Sequence, residues 1–310
     1  MPLILTSCTN RKRVPPVHAL RAHALRQGDL GHVAGQWIEL LHGAEPSTSA
    51  SDLYCGRAFR QAVAAAISAR ATFLVVSAGL GIVSATTRIP SYSLTVSAGA
   101  KDNVLSRISG GASSAEWWGE LARRSPFRTE LAEAARLADG PILLALSASY
   151  LEMIASELLG LPPRTRGRLR IFTLTPVSAL SEGLRAYVLP YDARFDGPDS
   201  SMPGTRADFA QRALGHFVNM ILPADFRADL DGHAEAVEQM LAGLRPQRMP
   251  VRTKLSDPDI TKLIHSHWRD VRGQSGRMLR FLRDDLGIAC EQGRLRDLFR
   301  AAKASRGGLS

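Results

Sequence analysis

Three short apolar runs end alike, and they limit the fold more than any other feature of the chain. Residues Pro2 to Thr6 (PLILT) lead into Ser7-Cys8-Thr9-Asn10-Arg11-Lys12. Residues Thr72 to Val76 (TFLVV) lead into Ser77-Ala78-Gly79-Leu80-Gly81, and Pro141 to Leu146 (PILLAL) lead into Ser147-Ala148-Ser149-Tyr150. Each run is rich in Val, Ile or Leu without alternation, the pattern of a strand covered on both faces of a parallel sheet. Ligands of open α/β sheets bind beyond the carboxyl ends of the strands, so the three polar tips are expected to converge on one crevice.

The intervening segments supply helices. Val17 to Leu41 reads as two short helices because Gly28, Gly31 and Gly35 interrupt it. Ser51 or Asp52 is placed to cap a helix running through Arg60 to Ala69, which leads into the second strand as a right-handed crossover requires. Ser113 to Ala138 reads as a helix with one of Trp117 and Trp118 in the core and the other on the surface. Further strands are expected at Leu169 to Leu174 and Tyr187 to Pro190, and further helices at Ser149 to Leu159, Thr205 to Ile221 and Ala224 to Leu244.

The pattern gives an α/β domain over residues 1–242, a parallel sheet with helices on both faces, and a linker over 243–256 (GLRPQRMPVR and its flank). Residues 257–310 read as a small all-α domain. Its helices are expected from Asp257 to Trp268, Ser275 to Leu286 and Cys290 to Ala304, with a Gly287-Ile288 turn between the last two, as in a helix-turn-helix.

Charge points to a partner. The chain carries 39 Lys and Arg against 29 Asp and Glu, a net charge of +10. Residues 251–310 hold 13 basic and 7 acidic residues, so the tail is basic out of proportion to its length. Double-stranded DNA is the expected partner, through Lys12, Arg277, Arg280, Arg294, Arg296 and Arg300. A bundle that only caps the main domain is the alternative. Three widely spaced cysteines make no disulfide framework or zinc motif, which fits the cytoplasm. No apolar run reaches the roughly 18 residues needed to cross a bilayer, and no obligate protein partner is evident.

Several chemistries lack their motifs. There is no GxGxxG, GxxxxGK[ST], GxSxG or HExxH, so no nucleotide cofactor, serine hydrolase or zinc centre is expected. Polar strand tips, Asn10 with its basic neighbours, aromatic residues and the carboxylates Asp52, Asp192 and Asp196 remain. That inventory suits a metal-free, cofactor-free site holding a base or sugar.

The series Leu5-Thr6-Ser7-Cys8-Thr9-Asn10-Arg11-Lys12, Asp52-Leu53-Tyr54-Cys55-Gly56-Arg57-Ala58-Phe59, Ser77-Ala78-Gly79-Leu80-Gly81 and Pro90-Ser91-Tyr92-Ser93-Leu94 resembles a little-characterised bacterial family. It is similar in order to the uracil-DNA-glycosylase-like domain of archaeosine synthases and to peroxide-stress DNA-binding proteins related to it. The resemblance covers about Pro2 to Leu94. It implies a DNA glycosylase that flips out and excises a modified base, and some proteins of this type remove hypermodified cytosines from phage DNA in antiviral defence. Departures are the missing Asp or Asn before Pro in the first glycosylase motif and the missing late His loop.

Under that resemblance Asn10 positions water or base, and Asp192 faces the sugar with Asp52 as its rival. Ser7, Cys8, Tyr54, Gly56, Ser77, Gly79, Gly81, Tyr92 and Ser149 line the base pocket, Tyr92 by stacking, while Arg57 and Lys12 hold phosphate. Each residue has a plainer role open to it: Asn10 and Asp52 as caps, Asp192 as a loop ligand, Cys8 and His216 as packing. Two other functions stay open, a non-catalytic DNA-binding regulator and an enzyme on nucleosides or RNA bases.

Overall fold

The structure, a computed structural model, describes residues 1–246 and 252–307. The chain divides into two compact units, Met1–Gln247 and Arg248–Ser310. Residues 247–251 of the expected linker lie outside the described residues.

In the first unit the strands are β1 (Leu3–Ser7), β2 (Thr48–Ser49), β3 (Thr72–Ser77), β4 (Gly81–Ser84), β5 (Arg88–Ile89), β6 (Ile142–Ala145) and β7 (Leu169–Ile171). The helices are α1 (Leu30–His42), α2 (Ala50–Leu53), α3 (Arg57–Ser68), α4 (Ser114–Arg124), α5 (Leu131–Leu137), α6 (Ala148–Met153), α7 (Ala155–Leu159), α8 (Pro163–Arg166), α9 (Glu182–Arg185), α10 (Phe209–His216) and α11 (Leu230–Leu241). Five strands form a mostly parallel sheet of order β4-β3-β1-β6-β7, in which only β4 runs antiparallel. The small β2–β5 ladder lies apart from it.

β1 is the axis of this sheet. Leu5 sits in register with Leu74 of β3 on one side and Leu144 of β6 on the other. Leu3 and Leu5 point to one face and Ile4 and Thr6 to the other, and all four are fully buried, so both faces are covered. The chain leaves β1 toward β3 and β4, then returns to the far side to lay down β6 and β7. The strand order therefore reverses between β1 and β6, the place where open α/β sheets open a ligand crevice.

Several expectations are corrected. Val17–Leu41 makes two 3₁₀ turns, His18–Leu20 and Ala22–Ala24, and one helix of 13 residues, α1, because Asp29 caps it ahead of Gly31 and Gly35. Ser49 rather than Ser51 or Asp52 caps α2, and α3 starts afresh at Gly56. The Gly79–Val83 stretch is a hairpin: Gly81 adopts φ +83° and β4 folds back on β3. Trp117 and Trp118 are both buried, since their indole N–H groups reach the Ala78 carbonyl and Glu157. Tyr187 to Pro190 contributes only a single bridge, Ile171 to Val188, rather than a strand.

The second unit is built from β8 (Thr253–Lys254), α12 (Asp257–Ser266), α13 (Ser275–Arg280), β9 (Ile288–Ala289) and α14 (Gln292–Gly307). Ile260, Ile264, Met278, Leu282, Leu295 and Phe299 form its core, with Trp268 stacked on Phe299 at 4.7 Å between ring centres. The connection before the last helix is more than a turn. After a π-helical continuation of α13 and Gly287, β9 pairs in parallel with β8, which moves the start of the helix from Cys290 to Gln292.

Two buried histidines make the first unit sensitive to acid. His233 Nδ1 accepts from Arg170 Nε at 3.0 Å while its Nε2 donates to the Asp225 carbonyl at 3.0 Å, which fixes a neutral tautomer. His216 Nδ1 lies 2.7 Å from the Tyr191 hydroxyl. Burial holds both imidazoles below their usual 6.5. As pH falls, the unfolded chain takes up protons before the folded one, so stability present above pH 6.5 is lost below it. Urea denaturation at pH 7.5 and 5.5 is expected to give a lower unfolding free energy at the acidic value, and a smaller drop for a His216→Gln, His233→Gln double variant. A flat profile between those values would contradict this.

Candidate functional site

Beyond the ends of β1 and β6 lies a pocket of about 270 Å³. Ser7, Ser147, Thr173, Thr175, Arg206 and Gln211 supply its polar lining, and Leu146 and Phe209 part of its apolar wall. It is slightly smaller than drug-sized pockets, roughly 300–1,000 Å³, and suits a ligand the size of a nucleobase.

Gln211 is the most constrained of these groups. It is 5% exposed on α10, and its Nε2 donates to Thr6 Oγ1 at 3.2 Å and to the Ala145 carbonyl at 3.0 Å. The Thr6 hydroxyl proton is itself spent on the Ala145 carbonyl, at 3.2 Å, so both partners present acceptors to the amide nitrogen. Arg212, the next residue, is 1% exposed and holds the loop at the pocket mouth. It donates to Asp208 at 2.9 Å, to Asp196 at 2.6 Å and to the carbonyls of Met202 and Thr205 at 2.8 and 3.1 Å.

Around the β1 and β3 tips a second polar cluster is closed rather than open. Ser77 Oγ accepts from the Gly79 and Leu80 amides at 3.1 and 3.0 Å, which leaves its proton for Tyr92 Oη at 2.5 Å. Tyr92 Oη in turn lies 2.7 Å from Tyr54 Oη. Both tyrosines are buried, and burial pushes their phenols well above the usual range. Lys12 Nζ lies 4.3 Å above the Tyr92 ring and donates to the Thr9 carbonyl at 3.2 Å. Burial lowers its pKa against the opposing pull of Cys8 and Asp102. Cys8 Sγ meets Tyr150 Oη at 3.2 Å.

The expected site residues are thus divided. Ser7 lines the pocket; Asn10, Asp52 and Asp192 do not. Asn10 is exposed on a bend, in a loop that is pinned to the α2–α3 junction through Thr9 Oγ1 to the Cys55 carbonyl and the Cys55 amide to the Arg11 carbonyl. Asp52 is an exposed partner of the Ser49 cap at 2.6 Å. Asp192 is exposed, chelates Arg194 Nε at 3.0 Å and borders a neighbouring hollow across the Thr173–Thr175 wall. Tyr92 does not offer a face for stacking: Lys12 covers it, and a Cβ on Gly79 would stand 2.5 Å from the ring, so only glycine fits there. Tyr54, Ser77 and Cys8 belong to the closed cluster, and Gly81 to the hairpin. Ser149 is exposed and bonds Ser147 at 3.0 Å. Gly56 caps α3, and Arg57 reaches Asp208 at 3.1 Å and the Pro203 carbonyl rather than standing free for phosphate.

Thr173, Thr175, Arg206 and Gln211 were not expected from the sequence, nor was an Asp102–His23 pair at 2.5 Å whose carboxylate also accepts from Ser93. A Gln on a helix carries no sequence signal of its own; its role exists only because Thr6 is opposite. In the second unit, Arg294 is tied to Asp257 and the Leu255 carbonyl, and Arg277 is partly buried. Arg280, Arg296 and Arg300 are exposed, and Lys303 joins Arg296 and Arg300 on one stripe of α14.

Among the described residues no cluster of His, Cys, Asp or Glu is arranged to hold a metal ion, and no helix is long and apolar enough to cross a membrane. Compared with models of known protein families, with curated proteins and with solved structures, the chain matches none.

The Arg212 network yields a stability prediction. Arg212→Ala would leave the buried Asp196 carboxylate without its cation and Asp208 with only the exposed Arg57, a loss of about 3–5 kcal/mol in urea denaturation. The exposed partner of Asp208 matters less, and Arg57→Ala is expected to cost under about 1 kcal/mol. Equal effects would show that Arg212 does not hold the loop as described.

Proposed function

We propose that the chain is a DNA glycosylase that flips a modified base into the pocket beyond β1 and β6 and hydrolyses its N-glycosidic bond. The observation that carries this reading is the pocket itself: base-sized, lined by hydroxyls and one anchored carboxamide, and placed where the strand order reverses. The motif resemblance over Pro2 to Leu94 and the basic surplus of residues 251–310 support it. Membership of the glycosylase-like family, a role in defence against phage DNA carrying hypermodified cytosine, and a cytoplasmic setting go with this proposal.

Glycosidic cleavage builds positive charge on the sugar and negative charge on the departing base. The donors available to the base are the hydroxyls of Ser7, Ser147, Thr173 and Thr175, with Arg206 at the mouth for backbone phosphate. Flipping costs a few kcal/mol, least for a base that is already poorly stacked. Asn10 and Asp192 lie outside the pocket lining, so a water-positioning role for either requires the DNA itself to bring the sugar to them. The basic stripe Arg296, Arg300 and Lys303, with Arg280, is proposed to bind the duplex, helix-turn-helix fashion.

One observation favours a second reading. The pocket lining contains no carboxylate, and the nearest candidates are capped or ion-paired. A non-catalytic DNA-binding protein that holds a base without cutting would need nothing more.

Incubation with ordinary DNA and with DNA carrying modified cytosines, followed by alkaline cleavage, separates the two. The glycosylase reading expects abasic sites on modified DNA, abolished in Ser147→Ala, Gln211→Met double variants; binding without abasic sites on any DNA gives the second reading. For the tail, replacing Arg296, Arg300 or Lys303 by Ala should each reduce the slope of log affinity against log salt by about 1, without changing sequence preference. An unchanged slope would place the DNA elsewhere.

A further inference from the structure

We propose that the recess at the amino ends of β6 and β7 binds a phosphate monoester of the size of a nucleoside monophosphate, held by Arg168, Arg170 and Arg227. This site is separate from the pocket beyond β1 and β6, and it stands or falls independently of the glycosylase reading.

The recess measures about 450 Å³, and the three arginines line it together with Asp139, Gly140 and Phe226. Gly140 stands just ahead of β6 and Arg168 just ahead of β7, so the recess lies at the end of the sheet opposite the base-sized pocket. Open α/β sheets bind ligands at the carboxyl ends of their strands, so position alone argues nothing here. Charge does.

Two of the guanidinium groups bond only neutral acceptors. Arg168 donates to the carbonyls of Gly140, Ala135 and Ala138 at 2.8, 2.9 and 2.6 Å. Arg170, 2% exposed, donates to His233 Nδ1 at 3.0 Å and to the carbonyls of Gly167, Leu169 and Ala228 at 3.0, 2.9 and 3.2 Å. Among the described residues no carboxylate forms an ion pair with either, and the exposed Arg227 side chain has no partner. The neighbouring acids are engaged elsewhere: Asp139 with the Met1 amino group, Asp225 with the Arg227 amide at 3.0 Å and Asp229 with the Gly232 amide at 2.9 Å. Burial lowers the Arg170 pKa to about 10, against a weaker pull from Asp229 and Asp231. A cation taken out of water needs an opposite charge to offset its lost hydration, and here the protein supplies none in contact.

The ligand class follows from charge and size. A phosphate monoester carries close to two negative charges at neutral pH and three acceptor oxygens, whereas a carboxylate or a phosphodiester carries one charge. Three guanidinium groups around one carboxylate suit the dianion, and their planar forks match phosphate oxygens. The recess is of ligand size rather than ion size. Its remaining wall is Phe226, 37% exposed, whose ring tip lies over Gly140 so closely that a Cβ there would stand 2.5 Å from it. An aromatic wall beside the cations suits the planar base of a nucleotide.

The test is calorimetry on the full chain with AMP, adenosine and inorganic phosphate. AMP is expected to bind at least about tenfold tighter than adenosine, and inorganic phosphate to compete with it. Arg227→Ala, at an exposed position without fold contacts, should weaken AMP about tenfold, and Arg227→Lys should weaken it less. Asp139→Asn should tighten it. AMP binding no tighter than adenosine, or an affinity that neither Arg227→Ala nor Asp139→Asn changes, would overturn the proposal. So would loss of AMP binding in the Ser147→Ala, Gln211→Met variant, which would place the nucleotide beyond β1 and β6. Competition with 5′-phosphorylated and 5′-hydroxyl oligonucleotides identifies the source. Displacement by the phosphorylated strand alone makes a DNA end a source of the same group, and displacement by neither leaves the free nucleotide. Equal displacement by both would overturn the preference for a monoester.

Discussion

The structure depends on one strand being paired on both sides. β1 takes β3 and β6 as parallel neighbours in register, which buries its backbone polar groups in ladders and its side chains in two apolar layers. Such a strand can carry polar side chains only at its carboxyl end, and there they must find partners or meet a ligand. Thr6 finds Ala145 and Gln211. Ser7 meets the pocket, and Cys8 meets Tyr150. The polarity of the crevice follows from the register of the sheet.

Two polar groupings at neighbouring strand tips behave oppositely. The hydroxyls of Ser77, Tyr92 and Tyr54 bond one another in a buried chain beneath Lys12, and that chain holds the hairpin beginning at Gly79 in place. Ser7, Ser147 and Gln211 surround open space instead. Buried hydroxyls that satisfy each other are inert, whereas groups satisfied on one side only can bind. By this criterion the pocket between β1 and β6, and not the closed cluster, is the candidate for recognition.

The α/β class and the buried strands were legible because an unbroken Val, Ile and Leu run ending at small polar residues has few other uses. The tips of β1 and β6 meet at one pocket as that pattern implies, while the tip of β3 is closed off by Tyr92 instead. What could not be read was which tip residues face inward. Tyr92 has the sequence of a stacking residue, yet the missing Cβ of Gly79 draws its ring down into the core, a contact between residues 13 apart. Asp52 looked like a free carboxylate, but Ser49 three residues earlier claims it. Gln211 was invisible, since its meaning depends on a threonine 205 residues away. In the tail, the helices show in the sequence, while the β8–β9 pairing does not, because two-residue strands have no periodicity to recognise.

Where a base sits decides between these possibilities most directly. Duplex DNA carrying a 2′-fluoro-arabino modified cytidine, which resists glycosidic cleavage, would be bound to the isotopically labelled full chain and the perturbed side chains mapped by NMR. Gln211, Thr173 and Thr175 are expected to report the base, with Arg206 responding to the backbone. Perturbations confined to the Lys12–Tyr92 cluster, or to residues 252–307 alone, would contradict a base-binding pocket between β1 and β6.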